Sequence, residues 1–191
     1  MNKICFATGN KNKLREVQSL LSNYKIVSLN DLNFLEDIPE TENTIQGNAE
    51  LKARFINNKF NIDCFSDDTG LFIDSLDGNP GVKSARYAGD NCNSDENIDL
   101  VLKNLKNISN RNASFRTVIC LIKNNNTYLF EGVVNGKITE ERVGNDGFGY
   151  DPIFIPEGYH KSFSELTIDE KNAISHRGIA VNKLVNFLNG Q

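Results

Sequence analysis

The chain has 191 residues, of which 39% are hydrophobic and 24% are charged, and its formal net charge is −4 at pH 7. This composition predicts a single globular domain over residues 1–191 with a substantial core. The negative charge argues against general nucleic-acid binding, which needs a basic surface. With no apolar run near the about twenty residues of a membrane helix and no signal peptide at the N-terminus, we expect a cytoplasmic protein without membrane or nucleic-acid partners.

The four cysteines Cys5, Cys64, Cys92 and Cys120 include no CxxC pair. Their spacing therefore argues against a zinc site and against a disulfide framework. Cys5, Cys64 and Cys120 have apolar neighbours, so buried thiols are expected there.

The chain begins with a predicted strand at Lys3–Ala7 and a helix after it. Residues with helical apolar spacing in that helix are Leu14, Val17, Leu20, Leu21 and Tyr24. The turn between strand and helix reads Thr8, Gly9, Asn10, Lys11, Asn12, Lys13. Backbone N–H groups at a helix start attract anions, but the Walker glycine pattern is absent. A phosphate site and an ordinary capped helix start both remain open.

A second strand is possible at Ile26–Leu29, followed by an acidic irregular stretch to Glu42 and a helix from about Thr44. The apolar stripe of this helix is formed by Ile45, Ala49, Ala53, Ile56 and Phe60. Lys52 lies at the edge of the stripe, one turn after Asn48. Its ammonium group therefore either reaches solvent past the apolar surface or points into a cleft.

The next stretch, Ser66-Asp67-Asp68-Thr69-Gly70, places two adjacent carboxylates between the apolar runs 64–65 and 71–73. We expect the acids at the end of a strand, where the chain turns sharply. Like charges this close are costly unless a cation or hydrogen-bond donors relieve them. Mg²⁺ is a suitable cation, because it prefers carboxylate oxygens and is commonly shared with substrate phosphates. A solvated turn is the alternative, because Asp, Thr and Gly all favour turns.

A third helix is predicted from Ser94 through Leu105, followed by three antiparallel strands. These strands are predicted at Ser114–Lys123, Thr127–Val134 and Lys137–Arg142, with turns at Asn124–Asn126 and Asn135-Gly136.

A glycine-rich loop at 144–152 carries two aromatic and two acidic residues, and a last helix is predicted from Ser175. His176 and Arg177 then fall in the first turn of this helix. Cations are disfavoured at that end of a helix dipole. An anionic or carbonyl-bearing ligand at the helix start would remove the penalty, whereas a surface histidine is the alternative for His176.

Five clusters occur in one order along the chain: Thr8–Lys13, Ser66–Leu71, Pro80–Tyr87, Gly147–Pro152 and Ser175–Gly178. With these clusters the chain closely resembles the inosine/xanthosine triphosphate pyrophosphatases, from Lys3 to about Leu188. Ile45 and Gly47 depart from the Phe and Glu of many members. The resemblance implies an α/β fold of the Ham1/Maf type, in which a long mixed β-sheet with flanking helices forms two lobes around a central cleft. It also implies a homodimer.

The same resemblance implies Mg²⁺-dependent hydrolysis of the deaminated purine nucleoside triphosphates ITP, dITP and XTP to the monophosphate and pyrophosphate. Glu40 and Asp68 would bind the metal with support from Asp67, and Asp68 would also activate the attacking water. Lys13 and Lys52 would hold the triphosphate together with residues 8–12. The nucleoside pocket would comprise Thr69, Phe148, Gly149, Tyr150, Asp151, Lys171, His176 and Arg177.

Two alternative functions are considered. A Maf-like pyrophosphatase for modified pyrimidine nucleotides is disfavoured by the Ser-His-Arg-Gly sequence at 175–178. A nucleotide-binding module without catalysis is disfavoured by the retention of both Asp67 and Asp68.

Overall fold

The computed structural model describes residues 2–21, 23–36 and 38–190. The strands and helices, in chain order, are β1 Asn2–Phe6, α1 Lys11–Leu20, β2 Tyr24–Ser28, α2 Ile45–Phe60, β3 Cys64–Ile73, β4 Pro80–Gly81, α3 Ser94–Asn104, β5 Asn112–Lys123, β6 Asn126–Ile138, β7 Phe154–Pro156, α4 Ile168–Ile174 and α5 His176–Asn189. Within the described ranges, none of these helices is long and apolar enough to span a bilayer.

The strands form a mixed sheet in the order β2-β1-β3-β5-β6-β7, with β4 paired to β3. Strand β1 is parallel to both β2 and β3, whereas β4 runs antiparallel to β3 and β7 antiparallel to β6. Strands β5 and β6 are joined through Asn124 and Asn125, both with left-handed backbone angles (φ 49° and 63°). Such a short connection joins antiparallel neighbours. The predicted α/β class with a mixed sheet is confirmed.

The chain divides into two compact units built from separate segments. Unit 1 comprises residues 1–68, 117–132 and 177–191, and unit 2 comprises residues 69–116 and 133–176. The expectation of one domain over residues 1–191 stays a prediction.

The core of unit 1 has helices on both sides of its strands. On one side, α1 and α5 contribute Val17 and Leu184 to a cluster with Phe6 and Phe65, whose rings stack with centroids 4.5 Å apart. On the other side, Ile56 of α2 packs in a cluster with buried side chains of β1 and β3. Because side chains alternate along a strand, successive residues of β3 face different helices.

The core of unit 2 is formed by α3 and the strand segments of that unit. Leu71 and Ile73 of β3 pack in one cluster with Ile98 and Val101 of α3. The aromatic members of this cluster are Phe115, Tyr150, Phe154 and Phe163.

The expected turn at Asp67-Asp68 is wrong, because β3 runs without interruption from Cys64 to Ile73. The backbone through both acids is extended, so their side chains leave the strand on opposite faces. The hydroxyl of Ser66 donates to the carbonyl of Ala49 in α2, which shows that the even-numbered residues of this segment face α2. The charges are accommodated by side-chain partners and not by solvent at a turn.

The predicted hairpin at Asn135-Gly136 is also wrong. Strand β6 continues through both residues to Ile138, and no separate strand covers 137–142 among the described residues. Gly136 lies in register with Pro156 of β7. A Cβ atom at Gly136 would clash with the carbonyl of Ile155 and the ring of Phe154. This glycine therefore permits close strand approach and is not a turn residue.

The predicted helices are confirmed, but one of them is shorter than predicted and one further helix was not predicted. Helix α2 begins after Thr44, whose hydroxyl accepts a hydrogen bond from the Gly47 N–H at 3.0 Å. Helix α1 ends at Leu20, and Tyr24 instead begins β2. Helix α4, which carries Lys171, was not predicted from the sequence.

We expect Gly136→Val to lower the free energy of unfolding by about 1–3 kcal/mol or more, because overpacking forces the backbone to shift. Asn135→Val places the same side chain at the preceding, exposed position and should change stability by no more than about 0.5 kcal/mol. Urea unfolding of both variants measures the difference. Equal midpoints would show that the β6–β7 approach tolerates a side chain at Gly136.

Candidate active site

A buried lysine of α2 lies between two carboxylates in unit 1. The Lys52 Nζ atom is 2.6 Å from Glu40 Oε1 and 3.2 Å from Asp68 Oδ1. Lys52 is only 7% exposed, so the sequence-based choice between solvent and a cleft is decided in favour of the interior. Burial on its own would lower the pKa of Lys52, but Asp68 and Glu40 outweigh it and raise the pKa. Lys52 is therefore held as a cation.

Asp68 has a different electrostatic environment from the acid next to it. Burial raises the pKa of Asp68, and the nearby charges of Glu40 and Asp67 add to the effect, against the opposing influence of Lys52 and Lys13. A carboxylate with a raised pKa binds a proton more readily than one in water. A raised pKa suits a general base, and that role stays a prediction for Asp68.

Asp67 faces the other side of β3, toward α1 and α5. Its Oδ1 atom lies 3.1 Å from the Nζ of Lys13, and its Oδ2 atom accepts from the Nε of Arg177 at 3.1 Å. The Nη1 atom of Arg177 donates to Glu16 Oε2 at 2.5 Å. Glu16, Asp67 and Arg177 are all buried. The four side chains form a chain of alternating charge.

The two acids thus have opposite pKa shifts. Burial on its own would raise the pKa of Asp67, but Lys13 and Arg177 outweigh it and hold the pKa well below the ordinary 3.8. Asp67 is therefore a permanent anion. The three acids predicted to hold a metal divide accordingly: Glu40 and Asp68 share Lys52, whereas both oxygens of Asp67 are engaged by cations.

The turn before α1 caps its own helix. The Asn10 side chain accepts from the N–H groups of Asn12 (2.9 Å) and Lys13 (3.2 Å), and Thr8 Oγ1 accepts from the Asn10 N–H. The backbone N–H groups of Asn12 and Lys13, which were predicted to bind phosphate, therefore donate to the capping side chain of Asn10. Gly9 and Lys11 are exposed in the same turn. The phosphate role of residues 8–12 stays a prediction.

Unit 2 contains a second buried ion pair. Lys171 of α4 lies with its Nζ 2.7 Å from Asp151 Oδ2 and 4.6 Å from the centroid of the Phe148 ring. The same Asp151 oxygen accepts from the Phe148 N–H at 2.8 Å. Gly147 has φ +83°, and a Cβ atom there would clash with the Asp151 carboxylate. Asp151 thereby fixes both Lys171 and the aromatic loop.

The remaining predicted pocket residues are spread through unit 2. The His176 ring stacks on Phe115 with centroids 4.5 Å apart and an interplanar angle of 11°. The Tyr150 hydroxyl donates to the carbonyl of Ser84 at 2.8 Å, while Thr69 and Gly149 are half-buried. The structure thus brings Phe148, Asp151 and Lys171 together. It places Arg177, also predicted for the pocket, with the acids of unit 1.

Sequence reasoning missed Glu16 and Phe115 as neighbours of these groups. Glu16 had a detectable signal, because it lies three residues after Lys13, at a neighbouring position on the same face of α1. Phe115 carried no signal, since an aromatic residue in a strand usually belongs to the core.

Buried lysines opposed to paired carboxylates are groups suited to a protein that binds and cleaves phosphate anhydrides. The sequence comparison supports this class: the model of the Ham1 family matches residues 4–187. The chain belongs to the Ham1 family.

Relatives within this family are similar over nearly their whole length. A dITP/XTP pyrophosphatase of Flavobacterium psychrophilum is 52% identical, with 97% of this chain and 98% of that protein covered. One of Porphyromonas gingivalis is 48% identical, with 98% of each covered. Among solved structures, a HAM1 protein from Coxiella burnetii matches with a TM-score of 0.92, 39% identity and full coverage of both chains. The Staphylococcus aureus Ham1 protein matches with a TM-score of 0.90, 36% identity and 99% of each covered.

Proposed function

We propose that this protein is a nucleoside-triphosphate pyrophosphatase that hydrolyses ITP, dITP and XTP to the monophosphate and pyrophosphate. The observation that carries the proposal is the pairing of two lysines, Lys13 and Lys52, with the adjacent acids Asp67 and Asp68. Family membership and relatives bearing the name dITP/XTP pyrophosphatase support it. In this reading the protein removes deaminated purines from the nucleotide pool.

Hydrolysis between the α and β phosphates needs a water molecule directed at the α-phosphorus and a stabilised pyrophosphate leaving group. Asp68 accepts the proton of that water as the general base. Lys13 and Lys52 meet the negative charge that develops on the leaving group. Both lysines are fixed by carboxylates before substrate arrives, so little reorganisation is required during the reaction.

We propose Glu40 and Asp68 as the ligands of Mg²⁺. One oxygen of Glu40 and one of Asp68 lie 2.6 and 3.2 Å from the Nζ atom of Lys52, so the two carboxylates are close together. Hard carboxylate oxygens are the ligands that Mg²⁺ prefers. The raised pKa of Asp68 indicates that nearby cations do not fully balance its charge. Bound Mg²⁺ would neutralise phosphate charge and lower the pKa of a water molecule. We assign Asp67 a supporting role, because Lys13 and Arg177 already engage its oxygens.

We propose that the purine is selected by hydrogen-bond donors that pair with its 6-oxygen. Lys171 and His176 are donors of this kind, and Lys171 is fixed by Asp151 beside the ring of Phe148. Adenine presents an amino group at position 6, which would leave such donors unpaired at a cost of about 1–3 kcal/mol each. Guanine shares the 6-oxygen, so its exclusion depends on the 2-amino group.

The test is a turnover panel with pyrophosphate detection. Purified protein is given ITP, dITP, XTP, ATP, GTP and a 5-methylated pyrimidine triphosphate, with and without Mg²⁺. We expect release from the first three, at least about tenfold above ATP in kcat/KM, and loss of release with chelator. Preference for the pyrimidine would favour the Maf-like activity, and tight ITP binding without release would favour a binding module.

We further propose, on the family resemblance, that the protein acts as a cytoplasmic homodimer. Light scattering of the purified chain measures its mass. A monomer at micromolar concentration would contradict the dimer.

A further inference from the structure

The acids and cations beside Lys13 form a continuous buried network in unit 1. Arg177 of α5 uses two different nitrogens, Nε toward Asp67 and Nη1 toward Glu16. Asp67 in turn uses two different oxygens, Oδ2 toward Arg177 and Oδ1 toward Lys13. The order Glu16–Arg177–Asp67–Lys13 therefore alternates negative and positive charge.

The two ends of this network differ in their freedom to move. Glu16 and Arg177 have side-chain exposures of 5% and 2%, whereas the Lys13 side chain is 15% exposed. A lysine has a flexible four-carbon stem and a strongly hydrated ammonium group. When the charges in the network become unbalanced, Lys13 is the member that can leave for solvent.

We infer that Glu16 is a positioning residue: by balancing Arg177, it leaves Asp67 to hold the Lys13 ammonium against the triphosphate. With Glu16 neutral, Asp67 would still contact both Lys13 and Arg177, two cations that repel each other, without the carboxylate that balances Arg177. Because Arg177 is enclosed, the contact that weakens is the one between Asp67 and Lys13. This inference rests on the proposed function, since it concerns how Lys13 is held for that reaction.

Two members of the network, Lys13 and Glu16, belong to the same helix. Lys13 and Glu16 are three residues apart on α1, so they lie on neighbouring positions of one helix face. Asp67 of β3 and Arg177 of α5 close the network from two other elements. Binding of phosphate by Lys13 is thereby linked to the packing of α1, β3 and α5 within unit 1.

The experiment compares Glu16→Gln, which removes the charge and keeps the shape, with Glu16→Asp, which keeps the charge. Pyrophosphate release from ITP is measured in the unmodified protein and in a Lys13→Met background, giving a double-mutant cycle. Glu50→Gln is the matched control, because Glu50 pairs with Arg54 on the surface of α2 and lies outside this network. Circular dichroism and thermal unfolding are recorded for every variant.

We expect Glu16→Gln to lower kcat/KM by about 10- to 100-fold, the usual effect of losing a group that orients another. Glu16→Asp should recover part of the loss. In the Lys13→Met background the further change from Glu16→Gln should be less than about twofold, the error of additivity. If Glu16→Gln fails to fold, the same cycle is run with Glu16→Asp, which must then show coupling to Lys13.

Unchanged kcat/KM in a folded Glu16→Gln variant would overturn the inference. An equal loss with and without Lys13 would also overturn it, because Glu16 would then act independently of that lysine. Absence of pyrophosphate release from the unmodified protein would instead refute the proposed function, so the two failures are distinguishable.

Discussion

Asp68→Asn is expected to lower kcat for pyrophosphate release by about 10²–10⁴-fold, the range that general-base catalysis supplies. Asparagine occupies nearly the same volume but cannot accept a proton from water. The fold should not suffer, because the raised pKa of Asp68 means that its ionised form is disfavoured in the folded state. Above the ordinary pKa of 3.8, the charge of Asp68 therefore costs stability. The variant should still fold at pH 7, because Lys52 keeps its contact with Glu40 at 2.6 Å.

Steady-state turnover of ITP and thermal unfolding at pH 7 measure the two effects. Asp99→Asn is the matched control, because Asp99 pairs with Arg142 on the surface and its side chain is 66% exposed. We also expect turnover by the unmodified protein to fall as the pH is lowered. Because the pKa of Asp68 is raised, this carboxylate begins to bind a proton at a higher pH than an ordinary aspartate with a pKa of 3.8. Turnover by Asp68→Asn within tenfold of the parent would remove Asp68 from the role of base.

Arg177→Met is expected to lower the free energy of unfolding by about 3–5 kcal/mol, the cost of breaking a buried ion pair by removing one partner. The substitution leaves the carboxylates of Glu16 and Asp67 buried and removes the guanidinium that contacts both of them. Arg54→Met is the matched control, since Arg54 and Glu50 form a surface pair with side chains 50% and 34% exposed. An exposed pair of this kind contributes about 0–1 kcal/mol.

The difference in the free energy of unfolding between Arg177→Met and the parent should depend on pH. The folded pKa of Asp67 lies below its ordinary 3.8, so the stability it contributes is present above pH 3.8 and is lost as pH falls through the lower folded value. In the variant the pKa of Asp67 rises, because one of its two cations is gone. Urea unfolding should therefore show a large gap at pH 7 that narrows below about pH 4. A gap that does not change with pH would show that lost packing, not lost charge, causes the destabilisation.

Local sequence patterns predicted several elements well. The stripe of α2 and its Thr44 cap depend on residues within one helix, so spacing alone located them. The start of α5 was predicted at Ser175 from the same kind of pattern, one residue before its observed start at His176. The edge position of Lys52 left two possibilities, solvent or a cleft, and only the ion pairs with Glu40 and Asp68 decide between them.

Other features depended on contacts between distant parts of the chain. Asn135-Gly136 is a common turn pair, but the approach of β7 requires a glycine in a continuous strand. The adjacent acids suggested a turn because Asp, Thr and Gly all favour turns. In the structure Lys13, Lys52 and Arg177, which lie far apart in sequence, supply the compensation.

By itself the sequence determined the family, the α/β class and the residue types available for phosphate chemistry, since these depend on short ordered motifs and on periodicity. Only the tertiary structure decided how the charges are divided. Strand alternation sends Asp68 toward Lys52 and Asp67 toward Lys13 and Arg177, and burial then moves the pKa values of the two acids in opposite directions. Glu16 acquires its place for the same reason, because only packing brings α5 against α1.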